Sequence, residues 1–230
     1  MRALCSRSRM TSMIATVLLA DAAMAVPDCL SDDERVRAAR FRHDLDRRRF
    51  TVGRSLVRTT LAAHYGCQPS AIRFRTGRND KPEVEPPAGM PPLHFNVSHS
   101  GDLVLAGFAP CEIGVDVEQV RDSVDLCNVA TEVFSTNEQR ALTLTPEAER
   151  APLFFRLWTC REALLKASGA GLSGCSRLRD ELDLGLPPAD DQVVIVDGRA
   201  WRLMSLPFVA DHALAVALGD PDVTPDVIFL

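Results

Sequence analysis

The sequence has no excess of positive charge, no metal-finger spacing and no long apolar run, and each absence removes a class of function. Its 26 lysines and arginines face 31 aspartates and glutamates, a formal net charge of −5. That balance offers no general nucleic-acid surface, so no nucleic-acid partner is expected. Cysteines stand apart at positions 5, 29, 67, 111, 127, 160 and 175, with no CxxC or Cys/His pairing. That scatter argues against a zinc finger or a dithiol redox motif. Their number is odd and the chain is too large to need covalent staples, so reduced thiols in a cytoplasmic protein are expected. No stretch reaches the roughly 20 apolar residues that span a bilayer, so no membrane partner is expected. No internal repeat stands out. What is present is a chain of 230 residues with 46% hydrophobic content. That is enough for one large domain or two small ones.

Punctuation along the chain divides it into elements. The start, MRALCSRSRMTSMIATVLLADAAMA, imitates a secretory signal, with a basic opening, an apolar stretch and a small-residue ending. Removing it would leave six cysteines, an even number. Asp21 interrupts the apolar stretch, and the preferred expectation is a first strand at about 13–20. Ser31 and Glu34 form a capping-box signature that predicts a helix from about Asp32. Apolar Val52, Leu56 and Leu61 at helical intervals, with Gly66 as a stop, predict a helix over about 45–64. Residues 71–74 read as a short strand, and the Pro/Gly-rich 76–92 as loop. Strands are expected at 94–97, 103–109 and 112–118, joined by turns at SHSGD and APCE. Ser135 and Glu138 predict another helix start, a long helix is expected over 148–167 ending at Gly169, and VVIVDGRAWRLMSL reads as a hairpin with an Asp-Gly turn. HALAVAL (212–218) reads as a last, buried strand. The fold class is α+β, with an N-terminal subdomain over 1–110 and a C-terminal one over 111–230.

Three short pieces carry chemistry. Asp116 and Glu118 lie two apart on an expected strand and so project from one face. Leaving both ionised and unscreened costs about 2–3 kcal/mol at an effective dielectric of about 20. A hard divalent cation removes that cost, and oxygen-only ligands suit Mg²⁺. The competing reading is an exposed edge strand with two solvated acids, which D-x-E alone does not exclude. Glu162 and Lys166 lie four apart on an expected helix, either as a surface ion pair or as a third metal ligand beside a phosphate-reaching ammonium. His99, flanked by Ser98, Ser100 and Gly101, makes a polar tip suited to phosphate oxygens. Upstream, Glu34–Arg58 holds nine arginines, either a solvated face or a polyanion site.

Taken in order, NDKP (79–82), FNVSHSG (95–101), IGVDVE (113–118), FSTNEQRAL (134–142) and WTCREALLKASGAGL (158–172) resemble the Sfp-type 4′-phosphopantetheinyl transferase family. The helix LSDDERVRAARFRHDLDRRRF adds to the likeness, which runs from about residue 30 to 218. The resemblance implies a monomer built as a pseudo-twofold pair of α+β subdomains with the active site in the cleft between them. It implies transfer of the 4′-phosphopantetheine arm of coenzyme A to a serine of an apo acyl or peptidyl carrier protein, releasing adenosine 3′,5′-bisphosphate. Carried over by position, Asp116, Glu118 and Glu162 would hold Mg²⁺. Glu162, Lys166 and His99 would be the catalytic set. Lys81, Pro82, Ser98, His99, Lys166 and the arginines Arg37, Arg47, Arg48 and Arg49 would bind coenzyme A. A carrier-docking patch is expected around 119–140, with Arg121 and Arg140.

Three departures from the family pattern stand out. Arg161 replaces a usual lysine, keeping the charge but changing the fork geometry. Asp80 replaces the glycine of G-K-P and adds negative charge beside a nucleotide. The family opens with a strand and an acidic residue, a plan that IATVLLAD fits, whereas the signal reading would delete that strand. Two rival functions share the motifs: a non-catalytic homologue that binds coenzyme A or a carrier, and a magnesium-dependent phosphodiesterase with water as acceptor.

Overall fold

Runs of branched apolar residues, cut by Gly, Pro and capping polar residues, set the order of elements. The computed structural model describes residues 14–77, 79, 81–121, 126–171, 174–185 and 188–230. The first half contains β1 (Ile14–Asp21), α1 (Asp32–Ala39), α2 (Asp44–Tyr65), β2 (Arg73–Thr76), β3 (Pro82–Glu85), β4 (His94–Ser100) and β5 (Leu103–Ala109). The second contains β6 (Ile113–Gln119), α3 (Leu126–Val133), α4 (Thr136–Leu144), α5 (Glu147–Ser168), α6 (Gly174–Glu181), β7 (Asp191–Val196), β8 (Arg199–Val209), β9 (His212–Leu218) and β10 (Thr224–Phe229). The strands form two four-stranded sheets, ordered β10-β1-β5-β4 and β6-β9-β8-β7, and a β2-β3 ribbon. The architecture is α+β.

Each four-stranded sheet carries a 22-residue helix on one face. α2 buries Val52, Leu56, Val57 and Leu61 against Val104, Ala106 and Phe108 of β5. The helix ends at Gly66, whose φ of 66° closes it in the left-handed conformation that glycine adopts without strain. α5 buries Phe154, Leu157, Ala163 and Leu164 against Ala213, Ala215 and Ala217 of β9. A third cluster joins the opposite faces of the two sheets, with Val17, Leu19 and Leu105 against Ile113, Val115, Leu214 and Val216. β5 and β9 are therefore covered on both sides, which is why both read as near-continuous apolar runs.

Local signals fall where chemistry puts them. Both capping boxes form: Ser31 with Glu34, and Ser135 with Glu138. Asp197 and Gly198 both take positive φ, 53° and 71°, as a two-residue hairpin turn requires. Residues 14–21 form an inner strand between β10 and β5.

Several expectations need correction. The stretch 76–92 is not all loop, because Val84 and its flanking residues pair with β2 as β3. Pro82 is tolerated there because it opens the strand. His99 and Ser100 lie within β4 rather than in the turn after it. β10, which the sequence reading missed, crosses the expected division near residue 110 and pairs in parallel with β1. Among the described residues, no helix is long and apolar enough to cross a membrane, and Cys29, Cys67, Cys111 and Cys160 are free thiols.

Candidate active site

The two large sheets meet at their edge strands, β4 and β6. Side chains bridge this seam. Alternate residues of a strand share a face, and on β4 these are Asn96, Ser98 and Ser100. Asn96 Oδ1 accepts from Val115 N at 2.9 Å. Ser98 Oγ donates to Asp116 Oδ1 at 2.8 Å, and Ser100 Oγ donates to Glu118 Oε2 at 2.7 Å. Ser100 Oγ also accepts from Gln119 N at 3.1 Å. The buried His212 ring closes the end of the seam, with Nε2 3.1 Å from the Ser100 carbonyl. The period-2 spacing of N-x-S-x-S thus matches that of D-x-E across the junction.

α5 brings the second pair of groups. The helix sits on β6 at Gly114, where an added Cβ would overlap backbone atoms of Ala163 and Ala167. This contact places Lys166 over the strand. Its Nζ lies 2.5 Å from Asp116 Oδ1 and 3.0 Å from Ser98 Oγ. Glu162, one turn earlier and half-buried, lies in the field of both Asp116 and Lys166.

Electrostatics mark the cluster as unusual. Asp116 is 1% exposed. Burial pushes its carboxyl up to about 6, with Lys166 and Ser98 opposing and Glu118 adding to the rise. Burial, then the Asp116 charge, also holds Glu162 above the usual carboxylate range. Lys166 and Ser98 occupy one oxygen of Asp116, while Oδ2 is buried without a hydrogen-bond partner. Among the described residues, no three His, Cys, Asp or Glu side chains converge closely enough to hold a metal ion. The donor set still fits a hard cation: carboxylate oxygens only, repelling one another, with one buried oxygen unsatisfied.

Beside the cluster lies a cavity of about 280 Å³ lined by Arg37, Arg49, Arg54, Lys81, Pro82 and His99. Partial burial, then the charges of Arg49 and Lys166, hold the exposed His99 ring below the usual histidine range. A surrounding of cations that resists further protonation favours an anion. Arg49 is fixed by its donation to the Gly101 carbonyl and by Asp46.

The sequence-derived residues divide. Asp116, Glu118, Ser98, Lys166 and Glu162 gather at the seam, and Arg37, Arg49, His99, Lys81 and Pro82 line the neighbouring cavity. Arg47 and Arg48 do not line it; both are exposed and pair with Asp44. Lys81 touches the cavity, but its ammonium donates to the backbone carbonyls of Lys166 and Ile113. Arg54 was missed. It lies between the Phe50 and Phe74 rings, 5.9 and 4.7 Å from their centroids, and pairs with Glu34. It lies one helical turn, four residues, after Phe50.

Arg161 points away from the site. It is 4% exposed and donates to Glu138 Oε2 and to the carbonyls of Leu178 and Leu182, the last two at 2.7 Å. An arginine suits this position because its fork serves three acceptors at once. Asp80 lies outside the described residues.

Residues 19–109 match the family described as 4′-phosphopantetheinyl transferase, N-terminal. Residues 112–217 match the 4′-phosphopantetheinyl transferase superfamily. The 4′-phosphopantetheinyl transferase HetI of Nostoc sp. is 35% identical over 178 residues, 77% of this chain and 73% of the relative. A putative 4′-phosphopantetheinyl transferase of Synechocystis sp. is 34% identical over 189 residues, 80% and 74% of the two chains. The 4′-phosphopantetheinyl transferase Sfp of Bacillus subtilis is 34% identical over 144 residues, 63% and 62%. On the matched halves and these relatives, the chain belongs to the 4′-phosphopantetheinyl transferase family and is an enzyme of that class.

Proposed function

We propose that the enzyme takes the phosphopantetheine arm from coenzyme A and places it on a serine of an apo acyl or peptidyl carrier protein. The observation that carries this reading is the Asp116–Lys166–Ser98 cluster standing beside a cavity walled by Arg37, Arg49, Arg54 and His99. An anionic, multiply phosphorylated substrate needs such a surface.

In this reading the cavity takes the 3′-phosphate end of the nucleotide. Arg37, Arg49, Arg54 and His99 neutralise the phosphates, and Lys81 and Pro82 form the wall toward the base. Asp116, Glu118 and Glu162 would hold a Mg²⁺ ion, which supplies charge neutralisation at the diphosphate. The serine oxygen forms a bond to the phosphorus that carries the pantetheine arm, and the bond from that phosphorus to the bridging oxygen of adenosine 3′,5′-bisphosphate breaks. Glu162 would receive the serine proton. Lys166 lies beside the diphosphate and stabilises charge on the departing phosphate. The carrier docks near α3 and α4, where Arg121 and Arg140 are exposed. The enzyme works as a cytoplasmic monomer.

Purified protein mixed with Mg²⁺, coenzyme A and a panel of apo carriers tests the reading by intact mass. One phosphopantetheine added per carrier is expected. Carriers of unchanged mass across the panel and across divalent metals overturn it.

A further inference from the structure

The chain has two lysines, Lys81 and Lys166, among its 26 basic residues, and they meet at the end of α5. That helix closes at Ser168, with Gly169 in the left-handed conformation. The last four carbonyls of a helix have no partner within it. Lys81 Nζ donates to one of these, the Lys166 carbonyl, at 2.6 Å. It also donates to the Ile113 carbonyl at the start of β6, at 3.2 Å. Two residues earlier, Asn79 Nδ2 donates to the Gly169 carbonyl. A positive charge at this end of a helix also meets the negative pole of its dipole.

Lys166 is consequently held at both ends. Its carbonyl is gripped by Lys81, and its ammonium by Asp116 and Ser98. Gly114 sets how deeply α5 sits on β6. Depth alone does not stop the helix from sliding or rolling along the strand. The bond from Lys81 to both Ile113 and Lys166 does, because Ile113 lies three residues before Asp116. A lysine that read phosphate would spend its ammonium protons in the cavity beside His99. Lys81 spends two of them on backbone carbonyls instead.

We propose that Lys81 is a positioning residue whose ammonium locks the last turn of α5 to β6, setting Lys166 and Glu162 against Asp116 rather than reading the nucleotide. The consequence for rate rests on the transferase reading; the structural consequence does not.

With two lysines, protein labelled with ¹³C at lysine Cε gives two side-chain signals, and Lys81→Met assigns them. In the ligand-free Lys81→Met protein the Lys166 signal should move. In the wild type, coenzyme A with Mg²⁺ should shift the Lys166 signal further than the Lys81 signal. In the transfer assay, Lys81→Met should lower kcat about tenfold while KM for coenzyme A stays within about twofold, and Lys81→Arg should recover at least about half of kcat. An unmoved Lys166 signal in Lys81→Met overturns the proposal. So does a KM raised about tenfold with kcat intact. If Lys81→Met lacks a cooperative melt, Lys81→Arg decides by the same signal and the same kinetic split. A wild type that transfers nothing refutes the proposed reaction, and the ligand-free spectra still decide the role of Lys81.

Discussion

Gly114→Ala is the smallest change that should take the site apart. A Cβ at residue 114 would overlap the Ala163 oxygen and the Ala167 nitrogen and lie 3.0 Å from the Ala163 carbonyl carbon. All three are backbone atoms of α5, so no rotamer change relieves the clash. The Ala163 oxygen would lie nearest, so restoring ordinary contact requires the helix to retreat by roughly 1.5 Å. Overpacking of this kind costs about 1–3 kcal/mol, and the rigid backbone on the far side puts Gly114→Ala at the upper end. At about 2–4 °C per kcal/mol for a chain of this size, the melting temperature should fall by about 6–12 °C. The retreat carries Lys166 and Glu162 with it and opens the 2.5 Å contact between Lys166 and Asp116. A displacement of about 1 Å already costs on the order of 100-fold in rate. Gly107→Ala is the control. The nearest atoms to its added Cβ would belong to the Val115 and Ile113 side chains, at 2.6 and 2.8 Å, in the core between the sheets. It should lower the melting temperature but leave kcat within about threefold of wild type, because α5 is untouched. Circular-dichroism melts and intact-mass transfer rates provide both readings. A Gly114→Ala protein that melts within about 1 °C of wild type and transfers within about twofold of it refutes the reasoning, as does a Gly107→Ala protein that loses rate equally.

Three other changes probe separate parts of the structure. Ser100→Ala frees the Glu118 carboxylate from its 2.7 Å tie and, in the proposed metal site, should weaken Mg²⁺ binding about tenfold; an unchanged affinity by calorimetry, with no substrate present, counts against the seam orienting that side chain. Arg161→Met strands the fully buried Glu138 carboxylate and should cost about 3–5 kcal/mol in urea unfolding; a loss below about 1 kcal/mol would mean that Glu138 does not depend on this partner. Arg199 beside Glu112 holds that carboxyl down to about 2, against 4.5 ordinarily. The stability this adds is fully present above about pH 4.5 and is lost as the pH falls through about 2. The stability gap between wild type and Glu112→Gln should therefore be widest near pH 6 and narrow steadily below pH 4.5. Urea melts that show a constant gap from pH 6 to 3 would exclude the linkage.

Features set by a local period were legible in the sequence. Asp116 and Glu118 share a strand face because they lie two apart, and Glu162 and Lys166 share a helix face because they lie four apart. Arg161 follows the same rule in reverse. One residue along a helix is a turn of about 100°, so beside a cleft-facing Glu162 it had to face the core. Features set by partners distant in sequence were not legible. The basic run 47–49 shows charge but not which turn of α2 faces a cavity, and that choice, which favours Arg49 and Arg54 over Arg47 and Arg48, depends on how the helix lies on β5. The direction of Lys81 depends on where α5 ends, 85 residues later. β10 reads poorly as a strand because it contains Pro225, and its partner β1 lies at the opposite end of the chain.

The junction between the sheets also explains why the acids sit where they do. If β4 and β6 were joined by a main-chain ladder, the two sheets would run on as one. Asp116 would then lie in the middle of a continuous sheet rather than on an edge strand. Side chains make the join instead. Asn96, Ser98 and Ser100 reach across to Val115, Asp116 and Glu118. Two edge strands can then lie side by side with their backbones apart, so the carboxylates stand at a seam between the two sheets, next to the cation-lined cavity. The hydroxyls satisfy one oxygen of each acid and leave the other to a ligand. A serine at each of these positions is small enough to keep the strands close and polar enough to hold the acids; an alanine would do only the first, and a larger polar residue only the second.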